Sequence, residues 1–191
     1  MPKSSRANLT RQITFMAMMA ALGSVLMFFP HFPVFPAAPF YKLDFAEIPV
    51  LIAGFACGPL AVIPVALVKN IAHLLLAADG TPIGEVSNFL QGTCFCMAAC
   101  LVYKFWHKFA GAVVGLVVGI ILTSLVAAPL TNYFIMFPAF GLNDMQERLA
   151  ILPYTIAFNA IKTTIAAVVT VVLYKHISRL LRAFERTKPA Q

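Results

Sequence analysis

The chain has 191 residues, 61% of them hydrophobic and only 11% charged, with a formal net charge of +7. A soluble domain carries about 25% charged residues, and one globular core cannot hide this much apolar surface, so the bilayer is the natural solvent. The basic residues lie in short breaks between apolar runs and form no continuous stripe, which excludes nucleic acid as the reason for the positive charge.

The first apolar run, Ile13 to Phe29, follows Lys3, Arg6 and Arg11. It is long, and proline-rich sequence follows it instead of a small-residue cleavage site, so it reads as a retained helix and not as a signal peptide. Within "TFMAMMAALGS", Ala17 and Ala21 are four apart, with Ala20 and Ser24 beside them at the same spacing. Such small-residue faces let helices approach closely. Internal packing and docking of another membrane subunit both fit that pattern.

Next comes "PHFPVFPAAPFYKLD", with Pro30, Pro33, Pro36 and Pro39. That proline spacing cannot continue a helix. It predicts an extended, aromatic-rich loop of about fifteen residues, long enough to be a candidate lid. The loop runs into "YKLDFAEIPVLIAGFACGP", where Lys42, Asp44 and Glu47 stand against an apolar run that ends in a tight turn at Cys57–Pro59.

Six apolar segments follow one another, at roughly 12–29, 46–57, 59–77, 86–103, 110–136 and 150–178. The second is short for a full crossing. With six spans both termini share a side, which carries Lys3, Arg6, Arg11, Lys104, Lys108, Lys175, Arg179, Arg182, Arg186 and Lys188, ten of the 14 Lys and Arg residues. The positive-inside rule places that side in the cytoplasm. Asp44, Glu47, Asp79, Glu85, Asp144 and Glu147 then fall in outer loops or at their margins. The expectation is an all-α integral protein of the cell membrane, one transmembrane domain over residues 1–191. It has six transmembrane helices, a long extracellular loop between the first two, and both termini cytoplasmic. No internal repeat is visible.

Ionisable side chains at membrane depth are costly and face a cavity or a partner. Here they come in sets that share a helix face. These are Asp44 with Glu47; Lys69 and Asn70 with His73; Glu85 with Asn88; and Asn159 with Lys162 and Thr163; Asn132 stands near the outer end of the fifth span. Every set falls in the outer half of the membrane under this topology, as expected if they line one pocket open to the outside. For any single pair, a structural contact between helices explains the residues equally well. His73 alone fits packing or a supporting role, and Phe32, Phe35, Phe40 and Tyr41 fit interfacial anchors as well as ligand contacts.

Cys57, Cys94, Cys96 and Cys100 all sit in apolar segments, without the spacing of a zinc site, and read as small buried thiols. There is no G-x4-G-K-[ST] phosphate loop, so the chain does not itself use ATP in the usual way, and no H-E-x-x-H or G-x-S-x-G supports an enzyme. No metal or cofactor is expected.

The run from Tyr41 to Pro59, with "LVKNIAHLL", "GEVSNFL" and "FNAIKTTIA", resembles the riboflavin-specific S components of energy-coupling factor transporters over nearly the whole chain. The matching elements are Asp44, Glu47, Ile48 and Pro49; Lys69 and Asn70; and Asn159 and Lys162. The resemblance implies a six-helix membrane subunit that captures a vitamin from outside. It would work with a transmembrane coupling subunit and two cytoplasmic ATPases. It further implies that Ala17 and Ala21 form the docking face for the coupling subunit and that the first outer loop gates the pocket.

Riboflavin, as transported substrate, asks for an apolar slot for its flat ring, with donors and acceptors for its edge and its hydroxyls. Asn159 and Lys162 are the first expected contacts, then Asn132 and Asn88. Leu43, Asp44 and Glu47 contribute from the loop junction. Lys69 and Glu85 are expected as a charge pair that shapes the pocket. Three other readings stay open: an S component for thiamine, biotin or folate; a membrane enzyme using Asp44, Glu47 and Glu85; and a membrane scaffold.

Overall fold

A computed structural model describes residues 3–29, 32–36, 38–77 and 80–185, with side chains described from Asn8 to Leu173 apart from the same gaps. The side chains of Lys3, Arg6, Pro30, Asp79, Lys175, Arg179, Arg182, Arg186 and Lys188 lie outside the described residues.

The chain is mostly helical. Helix α1 spans Lys3–Phe28, and two short strands follow, β1 Phe32–Phe35 and β2 Ala38–Leu43. Then come α2 Glu47–Cys57, a 3-10 turn Pro59–Ala61, α3 Val62–Leu76 and α4 Pro82–Phe105. Helix α5 runs over Phe109–Ala139, and α6 over Met145–Glu185.

Five of these helices are long and apolar enough to cross a membrane. The second is not. Its 11 residues reach about 16 Å, against a hydrocarbon core of about 30 Å. Apolar on all sides beyond Glu47, it is a core helix: nine of its residues, Glu47 to Leu51 and Ala53 to Ala56, are buried between α1, α3, α4 and α6.

Within the extended loop expected between α1 and α2, the backbone is paired. β1 and β2 form an antiparallel hairpin, with Phe32 opposite Leu43, Pro33 opposite Lys42 and Phe35 opposite Ala38. The prolines forbid a helix, but in a two-stranded ribbon each strand has a free edge on which a missing N–H is tolerated.

Helix α3 shows how one stripe turns inward. Val62, Val65, Ala66, Lys69, Asn70 and His73 are buried, while Ile63, Leu67, Val68 and Ile71 are exposed. The polar residues occupy the inner stripe and the outer one is wholly apolar, as a lipid-facing helix requires. Helices α4 and α5 approach until backbone nearly touches backbone. A Cβ on Gly115 would lie 2.5 Å from the Ala99 carbonyl oxygen, and one on Gly119 would lie 2.7 Å from that of Phe95. The repeat Gly111, Gly115, Gly119 supplies that seam.

Helix α5 contains two π-helical segments, Thr123–Ala127 and Asn132–Met136. Each lies just before a proline, Pro129 or Pro138. A proline ring clashes with the carbonyl four residues back, and a widened turn removes that clash. The second widened turn opens at Asn132, which is fully buried.

Candidate functional site

Strand β2, the last turn of α3 at His73 and the first turns of α4 would be unremarkable alone; together with α5 and α6 they enclose a cavity of about 260 Å³. Its polar wall holds Asp44, His73, Glu85, Asn88, Asn132 and Lys162. Its apolar wall is largely aromatic. Tyr41 stacks on Phe158 with ring centroids 5.0 Å apart, and Phe40 stacks on Phe140 at 5.8 Å. A flat ring system would find parallel faces here and hydrogen-bonding groups at its edge.

A buried four-charge cluster runs inward from Asp44 and Lys162 in this wall. The Lys162 ammonium is 2.8 Å from Asp44 Oδ2 and 3.4 Å from Glu47 Oε1. It also donates to Asn88 Oδ1 at 3.0 Å. Lys69 is 3.3 Å from the same Glu47 oxygen. Two ammoniums and two carboxylates balance, which is the condition for keeping charges at this depth. Asn88 in turn donates to Asn70 Oδ1 at 3.1 Å, tying α4 to α3. Burial alone would push the Asp44 carboxyl up. Lys162 and Lys69, with hydrogen bonds from Lys162 and the Ala46 N–H, outweigh burial and hold that carboxyl below its ordinary range.

The expected Lys69–Glu85 pair is not formed. Lys69 pairs with Glu47, and Glu85 instead meets His73, with 2.7 Å between Glu85 Oε1 and His73 Nδ1. The reason is depth along the helices: His73 lies one turn beyond Lys69 on α3, level with the first turn of α4, while Lys69 is level with the first turn of α2. Glu85 lines the cavity, and its buried Oε2 has no hydrogen-bond partner among the described residues.

A second network joins the hairpin to the helices. Asn132 donates to the Tyr41 hydroxyl at 2.9 Å and to Thr155 Oγ1 at 3.4 Å, and accepts from Gln91 at 3.0 Å. Tyr41 and Thr155 share a further hydrogen bond. Burial raises the Tyr41 phenol to about 12, against the pull of its Thr155 and Asn132 bonds, so it stays neutral.

The residues singled out from the sequence divide as follows. Asp44, Glu85, Asn88, Asn132 and Lys162 line the cavity. Glu47 and Asn159 line a smaller hollow of about 20 Å³ that shares Asn88, Gln91, Phe158 and Lys162 with it. The Asn159 amide donates to Thr155 O at 3.0 Å within its own helix. Lys69 is buried in the charge cluster, and Leu43 is buried at the end of β2; neither lines the cavity. Gln91 escaped sequence reading although it continues the three-residue spacing of Glu85 and Asn88. His73, assigned only packing or support, lines the cavity wall. On α1, Ala17 and Ala21 are exposed, whereas Ala20 is buried in the core.

The family described as ECF transporter, substrate-specific component, matches residues 11–174. The chain is 33% identical to the riboflavin transporter RibU of Staphylococcus aureus (strain TCH60), covering 90% of this chain and 93% of that one. It is 30% identical to the riboflavin transporter FmnP of Bacillus subtilis (strain 168), over 83% and 87% of the two chains. A solved structure of the S component of a bacterial ECF transporter superposes with a TM-score of 0.80 at 32% identity, covering 91% of this chain and 98% of the other.

Proposed function

The chain belongs to the family of ECF transporter substrate-specific components, and from that premise we propose that it is the riboflavin-binding subunit of such a transporter. The observation that carries the reading is the joining of a polar wall to paired aromatic faces in one cavity of about 260 Å³. The flavin ring lies against Phe40, Tyr41, Phe140 and Phe158. Asn88 and Glu85 meet its polar edge or its hydroxyls, and Lys162 supplies a donor held in place by Asp44 and Glu47. Asn159, Glu47 and Lys69 support that wall, and Leu43 anchors the hairpin.

The cavity end of the molecule is the outer one. Lys104 and Lys108 stand at the opposite end of α4 and in the α4–α5 turn, with the termini, on the cytoplasmic side of the cell membrane. The chain captures riboflavin from outside under the β1–β2 hairpin. Transport needs a membrane coupling subunit, docked on the exposed Ala17–Ala21 face, and two cytoplasmic ATPases. The chain itself is a binding subunit and not an enzyme.

The test is identification of the ligand on the detergent-purified chain by absorbance and mass spectrometry. Co-purified flavin, or stoichiometric uptake of added riboflavin, is the expected result. A colourless chain that retains thiamine, biotin or folate and ignores riboflavin would overturn the assignment of substrate.

A further inference from the structure

A second cavity, of about 250 Å³, lies at the other end of α4. Its walls include Cys57, Gly58 and Leu60 from the turn between α2 and α3, and Tyr103, Lys104 and His107 from the end of α4. Glu85 and Tyr103 are 18 residues apart on one helix, or about 27 Å. The two hollows therefore stand near opposite faces of a hydrocarbon core about 30 Å thick.

The chemistry of the second cavity differs from that of the first. Lys104 contributes an ammonium group, His107 an imidazole and Tyr103 a hydroxyl, and none of the lining residues is acidic. The turn at Gly58 has φ 103°, and a Cβ there would meet nothing within 4 Å, so the backbone opens onto space. Leu60, in the cavity wall, is 78% exposed. Phe105, at 85%, and Trp106 stand in the chain between the lining residues Lys104 and His107 and are exposed too, as is Phe109. Water is a poor neighbour for such residues, whereas acyl chains are a good one. Tryptophan beside basic residues is also the composition of a membrane interface.

We infer that this cavity binds the headgroup of an anionic phospholipid. The phosphate meets Lys104 and His107, and the acyl chains lie along Leu60 and Phe105 on the lipid-facing surface. Basic pockets between transmembrane helices bind anionic headgroups in this way. A free phosphate would use Lys104 and His107 but leave Leu60 and the exposed apolar residues next to them in the chain uncovered, so the adjacency of these groups selects the lipid.

The test uses the delipidated full chain in detergent, offered phosphatidylglycerol or phosphatidylcholine in mixed micelles and read by native mass spectrometry. One retained phosphatidylglycerol is expected, with retention at least about fivefold lower in the double variant Lys104→Gln/His107→Gln. Riboflavin binding, far from this site, reports that the variant is folded. Equal retention of the two lipids, or no loss in the folded variant, would overturn the proposal. So would displacement of phosphatidylglycerol by inorganic phosphate, which would make the site one for a free anion. Should the variant not fold, a photoactivatable phosphatidylglycerol on the unmodified chain decides the matter. Labelling of the peptides carrying Leu60 and Phe105 is expected, and labelling spread evenly over the other exposed helix faces would overturn it.

Discussion

Asn132 on α5 donates to the Tyr41 hydroxyl on β2 across 2.9 Å, and this bond fastens the hairpin over the cavity. The same amide meets Thr155 on α6 and Gln91 on α4. Asn132 is thus committed to three elements and acts as the latch that sets their spacing, so it supports the ligand wall more than it reads the ligand. Tyr41→Phe keeps the stacked ring but removes the hydroxyl, leaving buried polar groups on Asn132 and Thr155 short of a partner. The expected effect is about 1–2 kcal/mol of riboflavin affinity, or roughly five- to thirtyfold, carried mainly by faster dissociation. Fluorescence-quenching titration and stopped-flow release measure both; an unchanged release rate would mean that the hairpin is not held by this bond.

Lys162 is the hub of the charge cluster, within 3.4 Å of Asp44, Glu47 and Asn88. Lys162→Met leaves two buried carboxylates facing only Lys69. Removing one partner of a buried ion pair costs about 3–5 kcal/mol. The single variant is expected to lose thermal stability and riboflavin binding together. The double variant Lys162→Met/Asp44→Asn restores charge balance and should regain a large part of the stability while binding stays weak. A double variant melting no higher than the single one would show that charge balance is not what holds these helices.

The pH dependence of Asp44 has a definite sign. Its folded carboxyl sits below its ordinary value of 3.8, because Lys162 and Lys69 outweigh burial. A depressed carboxyl contributes stability above the unfolded value and loses it as pH falls through the folded one. The melting-temperature difference between the unmodified chain and Asp44→Asn should therefore hold steady from about pH 8 to about pH 5 and shrink only below about pH 4. Thermal denaturation in detergent across that range checks it. A difference already shrinking near neutral pH would show that Asp44 is not the group that sets this dependence.

The site was legible where polar residues repeat at helical spacing in an apolar run. Glu85 with Asn88, and Asn159 with Lys162, announce an inward stripe because lipid tolerates neither. Which charge meets which was not legible. Lys69 pairs with Glu47 and not Glu85 because of the relative heights of α2, α3 and α4, and spacing within one helix carries no information on heights between helices. The hairpin was hidden because Pro33 and Pro36 break the alternation by which strands are recognised, so extended backbone could be expected but its pairing could not. Gln91 was overlooked because glutamine sits comfortably on many helix surfaces; only its register with Glu85 and Asn88 distinguishes it.

The same stripe logic separates the two small-residue faces of α1. Ala20 is 3% exposed and packs in the core, and Ser24 donates to its carbonyl at 2.9 Å, so that face is already used within the chain. Ala17 and Ala21 are exposed and leave a shallow groove in which a second helix can lie close. Tryptophan at both positions would fill the groove without touching the cavity. Ala17→Trp/Ala21→Trp is expected to bind riboflavin within about twofold of the unmodified chain and yet to abolish riboflavin uptake in cells that carry the coupling subunit and ATPases. Met18→Trp, exposed but about 100° around the helix, is the control and should transport normally. Uptake by the double variant equal to that of the control would remove this face as the docking surface, and lost riboflavin binding would show instead that α1 shapes the pocket.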